Sequence, residues 1–225
     1  MYKFDTHVHT SEVSSCSGLT AVETLKIYKE KNYDGVVITD HYADYFFVKM
    51  TGLPWERQVA AFLQGYNNAL EYGKTIGITV LFGIELRLAG SGNEYLLYGM
   101  TPELCVNLPE MYNYTLEQLR DVTKKHNVAV FQAHPFRNGM VAITSEFMDG
   151  CEVYNGNPRH NSHNDSSDEF ATQNGLHKLS GSDCHQPEDA ARGGVIINKH
   201  PLTSRELIDE VMTGNAKLIK DGVVI

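Results

Sequence analysis

The sequence lacks the motifs of several common protein classes. Its four cysteines, Cys16, Cys105, Cys151 and Cys184, form no C-x-x-C pair, which excludes a zinc ribbon and a thioredoxin motif. Neither G-x-G-x-x-G nor G-x-x-x-x-G-K-[ST] occurs, so the usual phosphate-binding loops are missing. Basic residues are scarce, because 19 Lys and Arg stand against 28 Asp and Glu and give a net charge of -9. This charge argues against binding to a long nucleic acid or to an anionic membrane surface.

Long apolar runs are also missing. No stretch approaches the roughly 18 apolar residues that a membrane span requires. The N-terminal segment MYKFDTHVHT does not have the charged and apolar regions of a signal peptide. We therefore expect a cytoplasmic protein with reduced thiols and no membrane partner. With 225 residues, 42% of them hydrophobic, and no linker-like stretch, the chain predicts a single domain over residues 1–225.

Apolar segments and helical patterns alternate along the chain. Strands are predicted at 2–9, 35–41, 78–86, 94–100, 128–135, 150–156, 176–185 and 193–198, and helices at 20–34, 55–76, 116–127, 164–175 and 202–214. Thr20 and Glu23 have the spacing of a capping box at the start of the first helix. Because the strands are apolar on both faces, the order predicts an α/β fold built on a parallel sheet or barrel.

Ionisable side chains gather at the predicted ends of these strands. They are His7, His9, Asp40, His41, Glu85, His134, Glu152, Asp183 and His185. In a parallel barrel the strand ends meet at one face, where active sites are built. Burying so many ionisable groups together is costly unless a cation compensates them. Imidazoles combined with carboxylates predict a site for Zn, Mn or Fe.

Five short motifs then resemble the PHP (polymerase and histidinol phosphatase) family. They are D-T-H-V-H-T (5–10), I-T-D-H (38–41), G-I-E-L (83–86), A-H-P-F (133–136) and G-S-D-C-H (181–185). Each motif alone is weak, but their order and spacing match over about residues 1–190. The resemblance implies a distorted, TIM-barrel-like (β/α)7 barrel with two or three divalent metal ions that hydrolyses phosphoesters.

The resemblance also implies a set of metal ligands. One metal takes His7, His9, Glu85 and Asp183, with Glu85 bridging to a second metal that His134 binds, and a third takes His41 and His185. Glu94 falls where many relatives have a histidine, and a carboxylate can replace it. The remaining ligand is either Glu12, which suits Mn or Fe and which we favour, or Cys16, which suits zinc.

Several further residues are candidates for the same site. Arg137 follows the A-H-P motif and suits bidentate capture of a phosphate, and Arg159 and Arg192 are alternatives. We expect Asp40 to orient a metal-bound histidine, whereas the role of Glu152 is left open. His160 and His163 are either pocket residues or surface residues.

The sequence therefore predicts a metal-dependent phosphatase acting on a small phosphorylated substrate, similar to histidinol phosphatase. The expected mechanism is attack by a metal-bridging hydroxide, with Glu85, Asp183 and Arg137 as catalytic residues. One alternative is a nuclease or oligonucleotide phosphodiesterase of the same family. Another is a catalytically silent metal-binding domain, which the nearly complete ligand set disfavours.

Overall fold

One curled sheet organises the fold. The computed structural model describes residues 1–224, with strands β1 (Tyr2–Val8), β2 (Gly35–Ile38), β3 (His41–Tyr42), β4 (Thr79–Arg87), β5 (Glu94–Tyr98), β6 (Ala129–Gln132), β7 (Gly150–Asn155), β8 (His177–Gly181), β9 (Gly193–Ile197), β10 (Lys217–Lys220) and β11 (Val223–Val224). The strand order is β11-β10-β9-β1-β2-β4-β5-β6-β7-β8, and the short β3 pairs with β4 outside this path. The architecture is thus mixed α/β, consistent with the predicted barrel-like fold.

The sheet is mixed rather than parallel. Parallel pairs join β1 to β2, β2 to β4, β6 to β7 and β7 to β8. β5 is antiparallel to β4 and β6, and β9 is antiparallel to β1 and β10. The expected parallel sheet is found only in part, because residues 88–93 connect β4 to β5 too closely for a parallel crossover. The exact count of seven βα repeats is not confirmed within residues 1–224.

The helices cover the outer faces of the sheet and one end of it. They are α1 (Ala21–Glu30), α2 (Asp44–Phe47), α3 (Trp55–Phe62), α4 (Gln64–Ile76), α5 (Pro102–Asn107), α6 (Leu116–Lys125), α7 (Asn164–Asn174) and α8 (Ser204–Met212). The predicted capping box of Thr20 and Glu23 is confirmed. The single helix predicted over 55–76 is instead divided at Leu63 into α3 and α4. Within residues 1–224, none of the helices has the length and apolar character needed to cross a membrane.

An apolar core fills the lower part of the curl. It includes Phe4, Val37, Leu81, Leu96, Phe131, Leu179 and Val195 from seven strands. α8 contacts β4, β5, β8 and β9, and its Leu207 and Ile208 join this core. Leu81 and Glu85 point to the same face of β4 because side chains alternate along a strand. The same strand face therefore supplies a core residue and, further along the strand, a carboxylate.

The end of β8 returns to the end of β1. Val8 and Cys184 form an isolated parallel bridge. The amide of His9 donates to the carbonyl of Cys184 at 3.0 Å, and the amide of Cys184 donates to the carbonyl of His7 at 3.2 Å. We call this pairing the seam. It places the D-C-H segment directly beside the H-V-H segment.

Candidate metal centre

A pocket of about 170 Å³ opens where the strand ends meet. It is lined by Cys16, His41, Glu94, His134, Arg137, Asn157, Arg159, His160, Asp183 and His185. His7, His9 and Glu85 are completely buried and complete the same cluster. The structure therefore brings together the imidazoles and all but one of the carboxylates proposed as ligands from the sequence.

Glu85 lies at the centre, and each of its oxygens faces two imidazoles. Oε1 is 3.2 Å from Nε2 of His7 and 3.3 Å from Nε2 of His134. Oε2 is 3.4 Å from Nε2 of His9 and 2.8 Å from Nδ1 of His41. Two ligands bound at about 2.1 Å to one tetrahedral or octahedral ion are separated by about 3.0–3.4 Å. The surroundings of Glu85 thus have the spacing of ligand pairs on a shared cation.

Asp183 faces the same centre from the other side of the seam. Its Oδ1 is 3.5 Å from Nε2 of His7, 3.4 Å from Nε2 of His9 and 3.3 Å from Nδ1 of His185. Its backbone φ is 52°, in the left-handed region. Asp tolerates this conformation better than most residues, and such backbone strain concentrates at functional sites.

The donor atoms of this cluster fit a divalent metal. Among residues 1–224, six of its buried atoms have no hydrogen-bond partner: Nε2 of His7, Nε2 of His9, Nδ1 of His41, Oε1 and Oε2 of Glu85, and Nδ1 of His134. The 2.8 Å separation between His41 and Glu85 is short, but its orientation is not that of a hydrogen bond. Buried polar atoms left without partners are costly, and ion binding is a recognised way to satisfy them.

The potential ligand atoms form three overlapping groups. In each group the ligand atoms lie within 4.8 Å of one another: His7 with His9 and Glu85, His41 with Glu85 and Glu94, and His9 with His41 and His185. His134 adds to the second group, because its Nε2 is 3.6 Å from Oε2 of Glu94. These groups differ from the ligand sets that the resemblance implies in two ways, because His41 also joins Glu85 and Glu94, and His9 also faces the third group.

Glu152 orients two of the ligand-bearing segments. Its Oε1 lies 3.0 Å from Nδ1 of His7, and its Oε2 accepts from the amide of His134 at 3.1 Å and from Nδ2 of Asn155 at 2.8 Å. A carboxylate in this position turns the other ring nitrogen of His7 toward the cation site. Gly181 makes the arrangement possible, because a Cβ there would lie 2.5 Å from Cβ of His7 and 2.8 Å from Oε1 of Glu152.

Asp40 orients a histidine indirectly. It accepts from Ser14 Oγ at 2.7 Å, and Ser14 Oγ lies 3.2 Å from Nδ1 of His9. The sequence pointed to Asp40 but missed Ser14 and Asn155, because neutral residues in loops and at strand ends carry no charge pattern that would mark them. Asn155 Nδ2 also donates to Oδ2 of Asp183 at 3.2 Å.

The electrostatics of the cluster favour a cation. Burial lowers the pKa of His7, but the carboxylates of Glu85, Glu152 and Asp183 outweigh burial and raise that pKa well above its usual value. Burial together with His185 and His41 holds the pKa of His9 well below its usual range, so this ring is neutral, as a metal ligand must be.

Glu12 does not join the cluster. Its Oε2 accepts from the amide of Ala21 at 3.0 Å, and its Oε1 accepts from Nδ2 of Asn68 at 3.1 Å. A carboxylate at this position stabilises the N-terminus of α1. Cys16, by contrast, lines the pocket. The preference for Glu12 over Cys16 therefore disagrees with the structure, because helix capping already engages the Glu12 carboxylate.

Arg137 lines the pocket, and its guanidinium group donates hydrogen bonds to the carboxylate of Asp183 and to two neutral side chains. Its Nη2 donates to Oδ2 of Asp183 at 2.7 Å, to Oδ1 of Asn155 at 2.9 Å and to Oγ of Ser162 at 3.1 Å. The expected phosphate ligand thus also orients a candidate metal ligand. These hydrogen bonds leave Nη1 of Arg137 uncommitted among the contacts described within residues 1–224.

The other basic candidates differ in position. Arg159 lines the pocket and pairs with Asp189, with Nη2 2.7 Å from Oδ2. Arg192 pairs with Asp221 on the surface and is not among the residues that line the pocket. His160 is at the exposed rim of the pocket, whereas His163 lines a different cavity.

Comparisons with known proteins agree with this geometry. The PHP domain profile matches residues 5–225. The fold is similar to a two-domain protein from Bacteroides vulgatus that contains a predicted PHP-like metal-dependent phosphoesterase, with a TM-score of 0.70 and 15% identity over 99% of this chain and 66% of that one. PsfC from Pseudomonas syringae gives a TM-score of 0.64 and 17% identity over 92% of this chain and 88% of that one.

A third similar structure is Endonuclease Q in complex with a 27-mer duplex substrate that carries an abasic lesion, with a TM-score of 0.60 and 13% identity over 97% of this chain and 58% of that one. None of the curated proteins matches the sequence. The profile match confirms the resemblance drawn from the five motifs, and with it the predicted enzyme class of metal-dependent phosphoesterases. The chain belongs to the PHP domain family.

Proposed function

We propose that this protein hydrolyses phosphomonoesters of small molecules, as histidinol phosphatase does, with two or three divalent ions of Zn, Mn or Fe. The observation that carries the proposal is the environment of Glu85. Its two oxygens face four imidazole nitrogens at 2.8–3.4 Å inside the pocket. A carboxylate placed in this way matches a bridging ligand better than a structural ion pair.

The proposed ligands are drawn from the side chains of this cluster. They are His7, His9, Glu85 and Asp183 for one ion, Glu85, Glu94 and His134 for a second, and His41 and His185 for a third. Bound divalent ions supply Lewis acidity, since they lower the pKa of water and neutralise charge on phosphoryl oxygens.

The chain's own residues place the phosphoryl group. Arg137 fixes Asp183 through Nη2 and adds positive charge to the pocket wall, where it stabilises a phosphoryl oxygen that faces away from the ligands. Arg159 is held by Asp189 at the opening. His160 lines the exposed rim of the pocket, and we assign it the transfer of a proton to the leaving alkoxide.

The size of the pocket and the net charge of the chain favour a small substrate. Its volume of about 170 Å³ is below the roughly 300–1,000 Å³ of ordinary small-molecule pockets. The net charge of -9 opposes long polyanions. We therefore favour a small phosphomonoester over the nuclease or oligonucleotide alternative.

The proposal is tested on chelated protein reconstituted separately with Mn, Zn, Fe and Mg. Each form is assayed against phosphomonoesters, phosphodiesters and short oligonucleotides, with Glu85→Ala as the inactive control. We expect metal-dependent release of inorganic phosphate from monoesters. Preferential cleavage of oligonucleotides would support the nuclease alternative, and full activity in protein shown to be metal-free by elemental analysis would refute both.

A further inference from the structure

Cys16 stands at the mouth of the metal centre beside two buried imidazoles. It lines the pocket together with His41 and His185, whose ring centroids are 5.7 Å apart. It is the exposed cysteine of the chain, whereas Cys105, Cys151 and Cys184 are buried.

Hydrogen bonds fix the loop that carries Cys16 to the backbone of His41 and His185. The amide of Gly18 donates to the carbonyl of His185 at 2.9 Å, and Ser17 Oγ donates to the same carbonyl at 3.2 Å. On the other side, the amide of His41 donates to Ser14 Oγ at 3.1 Å. The residues on both sides of Cys16 are therefore tied to the backbone of the two histidines with which Cys16 lines the pocket.

A second observation points to a bound cation at this place. The ligand atoms of His9, His41 and His185 lie within 4.8 Å of one another. Within residues 1–224, Nε2 of His9 and Nδ1 of His41 are buried without a hydrogen-bond partner. The only carboxylate that the sequence offered for this position, Glu12, is committed to the start of α1.

We propose that the Cys16 thiolate, together with His41 and His185, binds one divalent ion and makes this position selective for zinc-like ions. Thiolate and imidazole ligands favour Zn²⁺ and Co²⁺, whereas Mg²⁺ and Mn²⁺ prefer oxygen ligands. The inference rests on the metal centre of the proposed function. It adds that the position with a sulfur ligand prefers different metal ions from the positions whose ligands are rich in oxygen.

The test uses Co²⁺ as a spectroscopic probe. Full-length protein is chelated under reducing conditions and titrated with Co²⁺ while the ultraviolet and visible spectrum is recorded. We expect an intense sulfur-to-cobalt charge-transfer band in the wild-type protein. Cys16→Ser should lose the band and weaken Zn²⁺ binding at this position by more than about tenfold. A loss of about tenfold can already follow when a residue that only hydrogen-bonds to a metal ligand is removed, so the loss of a ligand itself should be larger.

Two further variants make the result specific. Cys105→Ala removes a buried cysteine elsewhere in the chain and should keep the band. Cys16→Asp supplies an oxygen ligand, so it should bind metal without the band and shift the preference toward Mn²⁺.

The outcomes separate this inference from the proposed function. Wild-type protein that binds Co²⁺ without the band, or a band that persists in Cys16→Ser, overturns the thiolate ligand and leaves the phosphoesterase proposal intact. Protein that binds no Co²⁺ at all overturns both.

Discussion

Replacing Glu152 with glutamine tests whether a carboxylate that contacts a proposed metal ligand, but is not itself one, controls the affinity of the centre for metal ions. Oε1 of Glu152 lies 3.0 Å from Nδ1 of His7, and its Oε2 accepts from the amide of His134 and from Nδ2 of Asn155. When Nε2 of His7 points its lone pair at the cation, Nδ1 carries the proton. Glu152 thus accepts hydrogen bonds through both oxygens, and glutamine keeps the shape of the side chain but offers one oxygen.

The expected magnitude follows from this loss. The glutamine amino group must face at least one donor, so a buried donor loses its acceptor at a cost of about 1–3 kcal/mol. This cost corresponds to about 5–150-fold in an equilibrium constant. Loss of an outer partner of a metal-bound histidine typically weakens metal binding by about 10–100-fold. We therefore expect Glu152→Gln to bind Zn²⁺ or Mn²⁺ about 10–100-fold more weakly.

The assay separates positioning from chemistry. Metal affinity is measured by competition with a chelator, and kcat is then measured at saturating metal. Glu169→Gln, at an exposed position on α7, is the matched control. If Glu152 positions His7, saturating metal restores most of kcat. An affinity equal to that of the control refutes the reasoning, and so does a loss of kcat that added metal cannot restore.

Three other outcomes are expected. Glu85→Ala should lose bound metal and at least about three decades of rate, while its circular dichroism spectrum stays that of the wild type. Glu12→Gln should keep both metal and rate. Equal effects of the two variants would mean that the metal centre has been assigned to the wrong residues. Arg137→Ala should lower kcat/KM by the factor that corresponds to about 2–4 kcal/mol and weaken metal binding, because Arg137 holds the carboxylate of Asp183, and Arg137→Lys should not restore both. Wild-type kinetics would refute a role for Arg137 in stabilising the phosphoryl group. In chelated protein Cys16 should be alkylated near neutral pH and more slowly as the pH falls below about 6, because His185 and His41 overcome the effect of burial and lower its pKa to about 6. Buried Cys105, with a pKa raised by burial to about 12, should stay unmodified, and mass spectrometry of digested protein distinguishes the two.

The grouping of these histidines and carboxylates in one pocket was predictable from sequence because their chemistry and their spacing agree. His7 and His9 are two residues apart near the end of β1, so both reach one side of the strand. Glu12 shows the limit of this reasoning. A carboxylate near two histidines has suitable chemistry, but the sequence does not show that the start of α1 captures it at the amide of Ala21.

The topology was only partly predictable for a related reason. Apolar strands on both faces indicated a parallel sheet, but residues 88–93 allow only an antiparallel connection. That signal was present as the turn-forming segment A-G-S-G-N-E. The contact of Glu152 with Asn155, on the same strand, was harder to predict, because the neutral Asn155 carries no charge or repeat that would mark it.

The position of the proposed metal centre at the seam links metal binding to the local stability of the barrel. His7 and His9 lie on one side of the seam, and Asp183 and His185 lie on the other. An ion coordinated by both pairs would hold together two segments that are also joined by hydrogen bonds, among them those from His9 to Cys184 and from Cys184 to His7. Removing the ion should therefore loosen the barrel at this place before it unfolds elsewhere, and hydrogen exchange at the amides of His9 and Cys184 should speed up first.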